Sequence, residues 1–152
     1  MFKTIVIAND GSEGGFRALD LACDLAKAHR AKLHMISVEE MPNIPSSIDE
    51  VIETKTEENH KFHGVLAQAH KIAKKKRVKL VAEVVAGHAV ASVVTYVNAK
   101  KADLLVVGFM GHSALYERII GSTADRLVRL APCQTIRTHS GNRERPQRGC
   151  GS

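Results

Sequence analysis

The chain has 152 residues, of which 44% are hydrophobic and 25% charged, and this balance is typical of one globular domain that can bury a core. Aromatic residues make up only 4% and tryptophan is absent, so we do not expect the base-stacking surfaces of single-stranded nucleic-acid binders. No apolar run approaches the roughly 18–20 residues that cross a bilayer, and the first residues enter a strand pattern without the cleavage site of a signal peptide. We therefore expect a cytoplasmic protein with no membrane contact and no nucleic-acid partner.

Five short apolar runs, rich in β-branched residues, predict five strands. They cover residues 3–9, 32–38, 79–86 and 103–107, followed by a weaker and more polar run at 134–138. Helices are predicted between them, from the N-cap residue Ser12 to about residue 29, over 48–76, along the apolar stripe from Val90 to Val97, and over 121–131. Residues 39–47, which contain two prolines, are predicted to form a loop.

The alternating order of strands and helices, joined by short connections, predicts an α/β fold. We expect a doubly wound, five-stranded parallel sheet with strand order 3-2-1-4-5 and helices on both faces. In this order strands 1 and 4 are neighbours, so the loops that follow them converge at the carboxyl end of the sheet, where ligands of such folds bind. Residues 1–138 would form this domain, and residues 139–152, which are polar and rich in glycine and arginine, a disordered basic tail.

A glycine-rich segment follows the fourth predicted strand. Gly108 and Gly111 come directly after the strand, and Gly121-Ser122-Thr123 open the last predicted helix. Glycine lets a backbone approach a ligand closely, a helix N-terminus offers unpaired N–H groups, and hydroxyls add further donors. The segment is therefore a candidate phosphate site. Asp10 follows the neighbouring strand 1, and we interpret it as a residue of the same site rather than only as the cap of the turn at Gly11.

The spacing Gly108-x2-Gly111-x9-Gly121-Ser122, together with Ala-Asn-Asp-Gly-Ser after strand 1 and Gly87 before the third helix, resembles the universal stress proteins. It is similar to the branch of that family that binds ATP through a Gly-x2-Gly-x9-Gly-Ser/Thr motif. The resemblance covers roughly residues 2–138 and implies an adenine nucleotide alpha hydrolase-like fold. It also implies ATP as the ligand, with Mg²⁺ or Mn²⁺ at the phosphates, and a homodimer formed through the last strands. The last strand of this chain is more polar than the family's, and a polar edge strand discourages open-ended pairing.

The resemblance implies four groups of nucleotide-binding residues. They are the segment after strand 1, the backbone at the end of strand 2 that meets the adenine, the loop around the ribose and phosphates, and the phosphate-binding helix start. In that order the residues are Ala8, Asn9 and Asp10; Val38; Val107, Gly108 and Gly111; and Gly121, Ser122 and Thr123. No residue is assigned to catalysis or to direct ligation of a metal.

The residues are compatible with a binding module and with an enzyme. The chain has no Gly-x4-Gly-Lys-Ser/Thr loop and no dedicated base to activate water, so we predict a nucleotide-dependent regulatory module of the stress response with slow or no hydrolysis. One alternative is a Mg²⁺-dependent ATPase that uses Asp10. Another is a protein that binds a partner independently of nucleotide, through its tail and a basic cluster at the end of the second helix: Lys71, Lys74, Lys75, Lys76, Arg77 and Lys79.

Overall fold

The computed structural model describes the backbone of residues 1–40, 48–109 and 123–139, and the side chains of these residues except 48–61, 109 and 139. The predicted alternation of strands and helices is confirmed. In chain order the elements are β1 (Thr4–Ala8), α1 (Glu13–His29), β2 (Lys32–Glu40), α2 (Ile48–Lys75), β3 (Leu80–Gly87), α3 (Ala89–Lys100), β4 (Leu104–Phe109) and β5 (Gln134–His139). Residues 123–130 are also helical.

The sheet is parallel and has the predicted strand order, β3-β2-β1-β4-β5. Because side chains alternate along β1, Ile5 and Ile7 point to one face, where they pack with buried residues of α1 and α2. Val6 points to the other face and packs with α3 and the helical residues 123–130. Helices therefore cover both faces, as expected for a doubly wound sheet. None of the helices among the described residues is long and apolar enough to cross a membrane.

β2 extends beyond its predicted end. It continues through Glu39 and Glu40, which the sequence pattern assigns to a loop, and these residues are paired with Ala86 and Gly87 of β3. Backbone pairing does not depend on the polarity of the side chains, and that polarity is the signal that favours a loop. The rest of the predicted loop, residues 41–47, lies outside the described residues.

β4 and β5 also run further than predicted. Gly108 belongs to β4 rather than to the loop after it, because it is paired with Thr138 of β5, and the next pair joins Phe109 to His139. β5 thus ends at His139, the residue at which the predicted tail begins. Residues 140–152, the rest of that tail, lie outside the described residues.

At the amino end of the sheet, Asp103 joins the starts of β1 and β4. Its carboxylate oxygens accept hydrogen bonds from the backbone N–H groups of Lys3 (2.8 Å) and Thr4 (3.0 Å). Burial works to raise the pKa of Asp103, but these backbone hydrogen bonds outweigh it and hold the pKa below its usual range. The two central strands are therefore fixed in register at the end opposite to the predicted ligand site.

Each of α1, α2 and α3 is followed by a cationic residue with positive φ. Arg30, Arg77 and Lys101 have φ values of 53°, 59° and 52°, in the left-handed region that glycine usually occupies at helix ends. After each of them, the next backbone N–H donates to the helix carbonyl five residues earlier, at 2.9–3.1 Å. These residues end the helices and turn the chain into the next strand.

Lys76, a member of the predicted basic cluster, joins the end of α2 to α1. Its Nζ lies 2.8 Å from Asp20 Oδ1 and 2.7 Å from Asp24 Oδ1. Burial works to lower the pKa of Lys76, but the hydrogen bonds to the two aspartates outweigh it, so the pKa is raised. This cation of the cluster is engaged within the fold.

His34, in β2, lies half-buried beneath α3. Its Nδ1 is buried and has no hydrogen-bond partner among the described residues, and its ring meets that of Tyr96 edge-on, with 6.4 Å between the ring centroids. Burial and, next, the charge of Lys100 lower the pKa of His34, and the opposing charge of Glu83 does not restore it. The folded protein therefore holds this imidazole neutral at a pH where the unfolded chain protonates it.

We predict that His34 makes the free energy of unfolding decline as the pH falls below about 6.5, its ordinary pKa. Below that pH the unfolded chain binds a proton at His34 that the folded chain does not, until the lower folded pKa is reached. The substitution His34→Gln should weaken this pH dependence, whereas His70→Gln, at an exposed position of α2, should not. Urea unfolding at about pH 7.5 and about pH 5.5 measures both effects, and an unchanged pH dependence in His34→Gln would contradict the prediction.

Candidate functional site

A cleft of about 360 Å³ lies at the carboxyl end of the sheet, where β1, β2 and β4 end. Seven of the ten residues predicted to bind a nucleotide line it: Ala8, Asn9, Asp10, Val38, Val107, Gly108 and Thr123. The other three, Gly111, Gly121 and Ser122, lie outside the described residues. The structure therefore brings every described member of the predicted set to one place.

Asn9 positions the start of the cleft from within the protein. It is 2% exposed, and its backbone N–H donates to Ile36 O at 3.0 Å while its carbonyl accepts from Ser37 Oγ at 2.7 Å. Its side-chain Oδ1 accepts from the N–H of Gly11 at 2.9 Å, and its Nδ2 lies 3.6 Å from Met35 Sδ. Because these polar groups are satisfied within the fold, Asn9 holds the loop in place.

A tight turn after Asn9 leads from the cleft into α1. Gly11 has a φ of 83°, which glycine adopts without steric cost. Asp10 Oδ1 accepts from the N–H of Ser12 at 2.9 Å, and Ser12 Oγ accepts from the N–H of Gly15 at 3.1 Å, so Ser12 is the N-cap of α1, as predicted. The carboxylate of Asp10 remains exposed at the rim of the cleft.

Two glycines allow α1 to approach the strand ends closely. A Cβ on Gly108 would lie 2.6 Å from the carbonyl carbon of Gly14 and 2.8 Å from Gly15 N, and a Cβ on Gly15 would lie 3.1 Å from Asn9 Cγ. Gly108 therefore has a packing role, against α1, that the phosphate interpretation of the sequence did not include. The role of Gly15 was missed, although two adjacent glycines in the first turn of a helix are a signal, because glycine there costs stability.

The main chain of Val38 faces the cleft. β1 ends at Ala8, and the last backbone–backbone hydrogen bond between β2 and this segment runs from Asn9 N–H to Ile36 O. Because backbone groups alternate in direction along a strand, Val38, two residues beyond Ile36, presents its N–H and C=O toward the same side, where β1 is no longer present. This position therefore offers one donor and one acceptor in the plane of the sheet.

Glu40 is a lining residue that the sequence analysis assigned to a loop. It lies on the same face of β2 as Val38, and the alternation of side chains along an extended β2 would have indicated it. Ala89, the first residue of α3, lines the cleft beside it. Four apolar residues of the core shared by β2, α3 and the last helix complete this wall: Ile36, Val93, Ala124 and Leu127.

The polar groups of the cleft are mainly acceptors. Among the described residues, its lining holds the carboxylates of Asp10 and Glu40 and the hydroxyl of Thr123, beside the Asn9 carboxamide that is engaged within the fold, but no cationic side chain. The described part of the chain also contains no group of three or more histidine, cysteine, aspartate or glutamate residues placed to hold a metal ion. The arrangement suits a ligand that donates hydrogen bonds and buries an apolar ring.

A family model and individual relatives that match this chain all belong to one protein family. The sequence model described as Universal stress protein family matches residues 1–138. The chain is 31% identical over 147 residues to the universal stress protein Rv1636 of Mycobacterium tuberculosis, which covers 91% of this chain and 97% of the relative. It is 29% identical over 141 residues to the universal stress protein MJ0531 of Methanocaldococcus jannaschii, covering 90% of this chain and 81% of the relative.

A solved structure with a bound nucleotide has the same fold. It is described as a universal stress protein in complex with cAMP, and it is 28% identical to this chain with a TM-score of 0.74. The match covers 92% of this chain and 99% of the other.

We predict that Gly108→Ala destabilises the fold while Gly64→Ala does not. A methyl group at position 108 would overlap the backbone of α1, and overpacking of this kind costs about 1–3 kcal/mol. At exposed position 64 of α2 an added Cβ meets none of the described neighbours within 4 Å, so alanine should stabilise by about 0.5–1 kcal/mol. Urea unfolding measures both, and a wild-type midpoint for Gly108→Ala would refute the close contact.

Proposed function

The chain belongs to the universal stress protein family, and we propose that it binds an adenine nucleotide, ATP with Mg²⁺ or Mn²⁺, in the cleft at the carboxyl end of its sheet. The observation that carries the proposal is the main chain of Val38, which faces a cleft lined by all the described members of the predicted nucleotide set. The cAMP complex of a related protein supports the same ligand class.

The adenine ring fits the wall formed by β2 and α3. Adenine presents an acceptor at N1 beside a donor at its 6-amino group, and the N–H and C=O of Val38 are the matching pair. The apolar side chains of Val93 and Leu127, which line the cleft on one face of the sheet, would cover the ring from that side.

The sugar and phosphates would lie toward the other side of the cleft. Asp10, exposed at the rim, can accept hydrogen bonds from ribose hydroxyls. Thr123, with Gly111, Gly121 and Ser122, would supply hydroxyl and backbone N–H donors to the phosphates. Since the described lining has carboxylates and no cation, a polyphosphate would bring a divalent cation that neutralises its charge.

We favour a regulatory module over an enzyme. Asp10 Oδ1 already accepts the Ser12 N–H, which holds the turn, and the sequence pattern predicts no dedicated base to activate water. Nucleotide binding would then change the surface presented to a partner rather than drive turnover. A homodimer through β5, which lies at the edge of the sheet, and a cytoplasmic location complete the proposal.

The binding test is calorimetric titration of the full chain with ATP·Mg²⁺. Gly111→Val and Gly121→Val should each weaken binding at least about 100-fold, because a branched side chain would occupy the space of phosphate oxygens. Gly64→Ala, in α2 and outside the predicted set, is the control and should bind like the wild type. Wild-type affinity in both valine variants would contradict the site.

A second measurement separates the module from the ATPase alternative. Phosphate release by the wild type should be slow or absent with saturating ATP·Mg²⁺. If the protein instead turns ATP over, and Asp10→Ala removes turnover while it leaves ATP affinity unchanged, the enzyme interpretation replaces the regulatory one.

A further inference from the structure

We infer that Glu40 makes the cleft select a 6-amino purine over a 6-oxo purine. The inference rests on the proposed adenine-nucleotide site and adds a specificity residue to it. Glu40 lines the same cleft as Val38 and shares its face of β2. At a rise of about 3.3 Å per residue, their Cα atoms are roughly 6.6 Å apart along the strand, so a glutamate side chain can reach the edge of a ring held at Val38.

Glu40 lies near the start of α3 in the fold. Glu40 is paired with Gly87 of β3, and α3 begins two residues later at Ala89, which lines the cleft with Glu40. His88, the N-cap of α3, makes no side-chain capping hydrogen bond. The first turn of α3 and Glu40 therefore border the same part of the cleft.

A carboxylate discriminates between the two purine types, whereas the main chain at a strand edge does not. The main chain of β2 offers donors and acceptors in alternation, so a ring shifted along the strand can satisfy either purine type. A carboxylate only accepts. It therefore gains a hydrogen bond from the 6-amino group of adenine and repels the 6-oxo group of hypoxanthine or guanine.

Paired titrations with AMP and inosine monophosphate test the inference. The two ligands carry the same phosphate and ribose and differ in the base, at position 6 and in the hydrogen at N1. The wild type should prefer AMP, and Glu40→Gln should reduce the ratio of the two affinities by about 10-fold or more, because the amide of glutamine can donate to the 6-oxo group. Any general effect of the lost charge on a phosphate cancels in this ratio.

The matched control is Glu39→Gln. Glu39 precedes Glu40, carries the same charge and lies on the opposite face of β2, so its substitution should leave the affinity ratio unchanged. The melting temperatures of both variants without nucleotide measure any loss of stability. Such a loss would weaken the binding of both nucleotides and would not alter the ratio of their affinities.

The outcomes are distinct. A wild-type ratio in Glu40→Gln, with AMP still bound, overturns the role of Glu40 and leaves the proposed function standing. If the wild type binds neither AMP nor ATP·Mg²⁺, the proposed function fails and the role of Glu40 fails with it. A reduced ratio in both variants would also overturn the inference, because it would assign the effect to charge near β2 rather than to Glu40.

Discussion

The cleft depends on the way in which Asn9 lets β1 leave the sheet. Polar groups buried at the centre of a sheet are costly unless they are paired. Where a central strand ends, backbone N–H and C=O groups lose their partners in the sheet. Asn9 satisfies them through Ile36, Ser37 and Gly11. The adjacent edge of β2, at Val38, is then open to a ligand without exposing the core behind it.

The same residues that stabilise the fold also shape the site. Gly108 lets β4 approach the backbone of α1 closely, Gly15 lets α1 approach Asn9, and both Gly108 and Asn9 line the cleft. At the far end of β1 and β4, Asp103 fixes the starts of the two strands. At the cleft, binding and folding therefore depend on the same contacts. The binding affinity of a variant at these residues should be compared with its stability.

Much of this arrangement could be predicted from the sequence, because buried parallel strands are continuous apolar runs and the strand order places the ends of β1 and β4 together. Glu40 was not found, since its polarity is typical of a loop and its inclusion in β2 depends on pairing with Gly87, a contact distant in sequence. The packing of Gly108 on α1 was missed for a related reason. In the sequence, a glycine that contacts a ligand cannot be distinguished from one that packs against a helix, because the position of the helix is not yet known.

The left-handed residues after the helices have a bearing on how sequences of this fold can diverge. Arginine or lysine in that conformation costs roughly 1–2 kcal/mol of backbone strain, while a cation at a helix C-terminus recovers about 0.3–1 kcal/mol from the dipole. Glycine would relieve the first term, forfeit the second and lose more chain entropy on folding. These terms nearly offset. Replacing Arg30, Arg77 or Lys101 by glycine should therefore change the free energy of unfolding little and leave the course of the backbone as it is, so either residue type can occupy these positions.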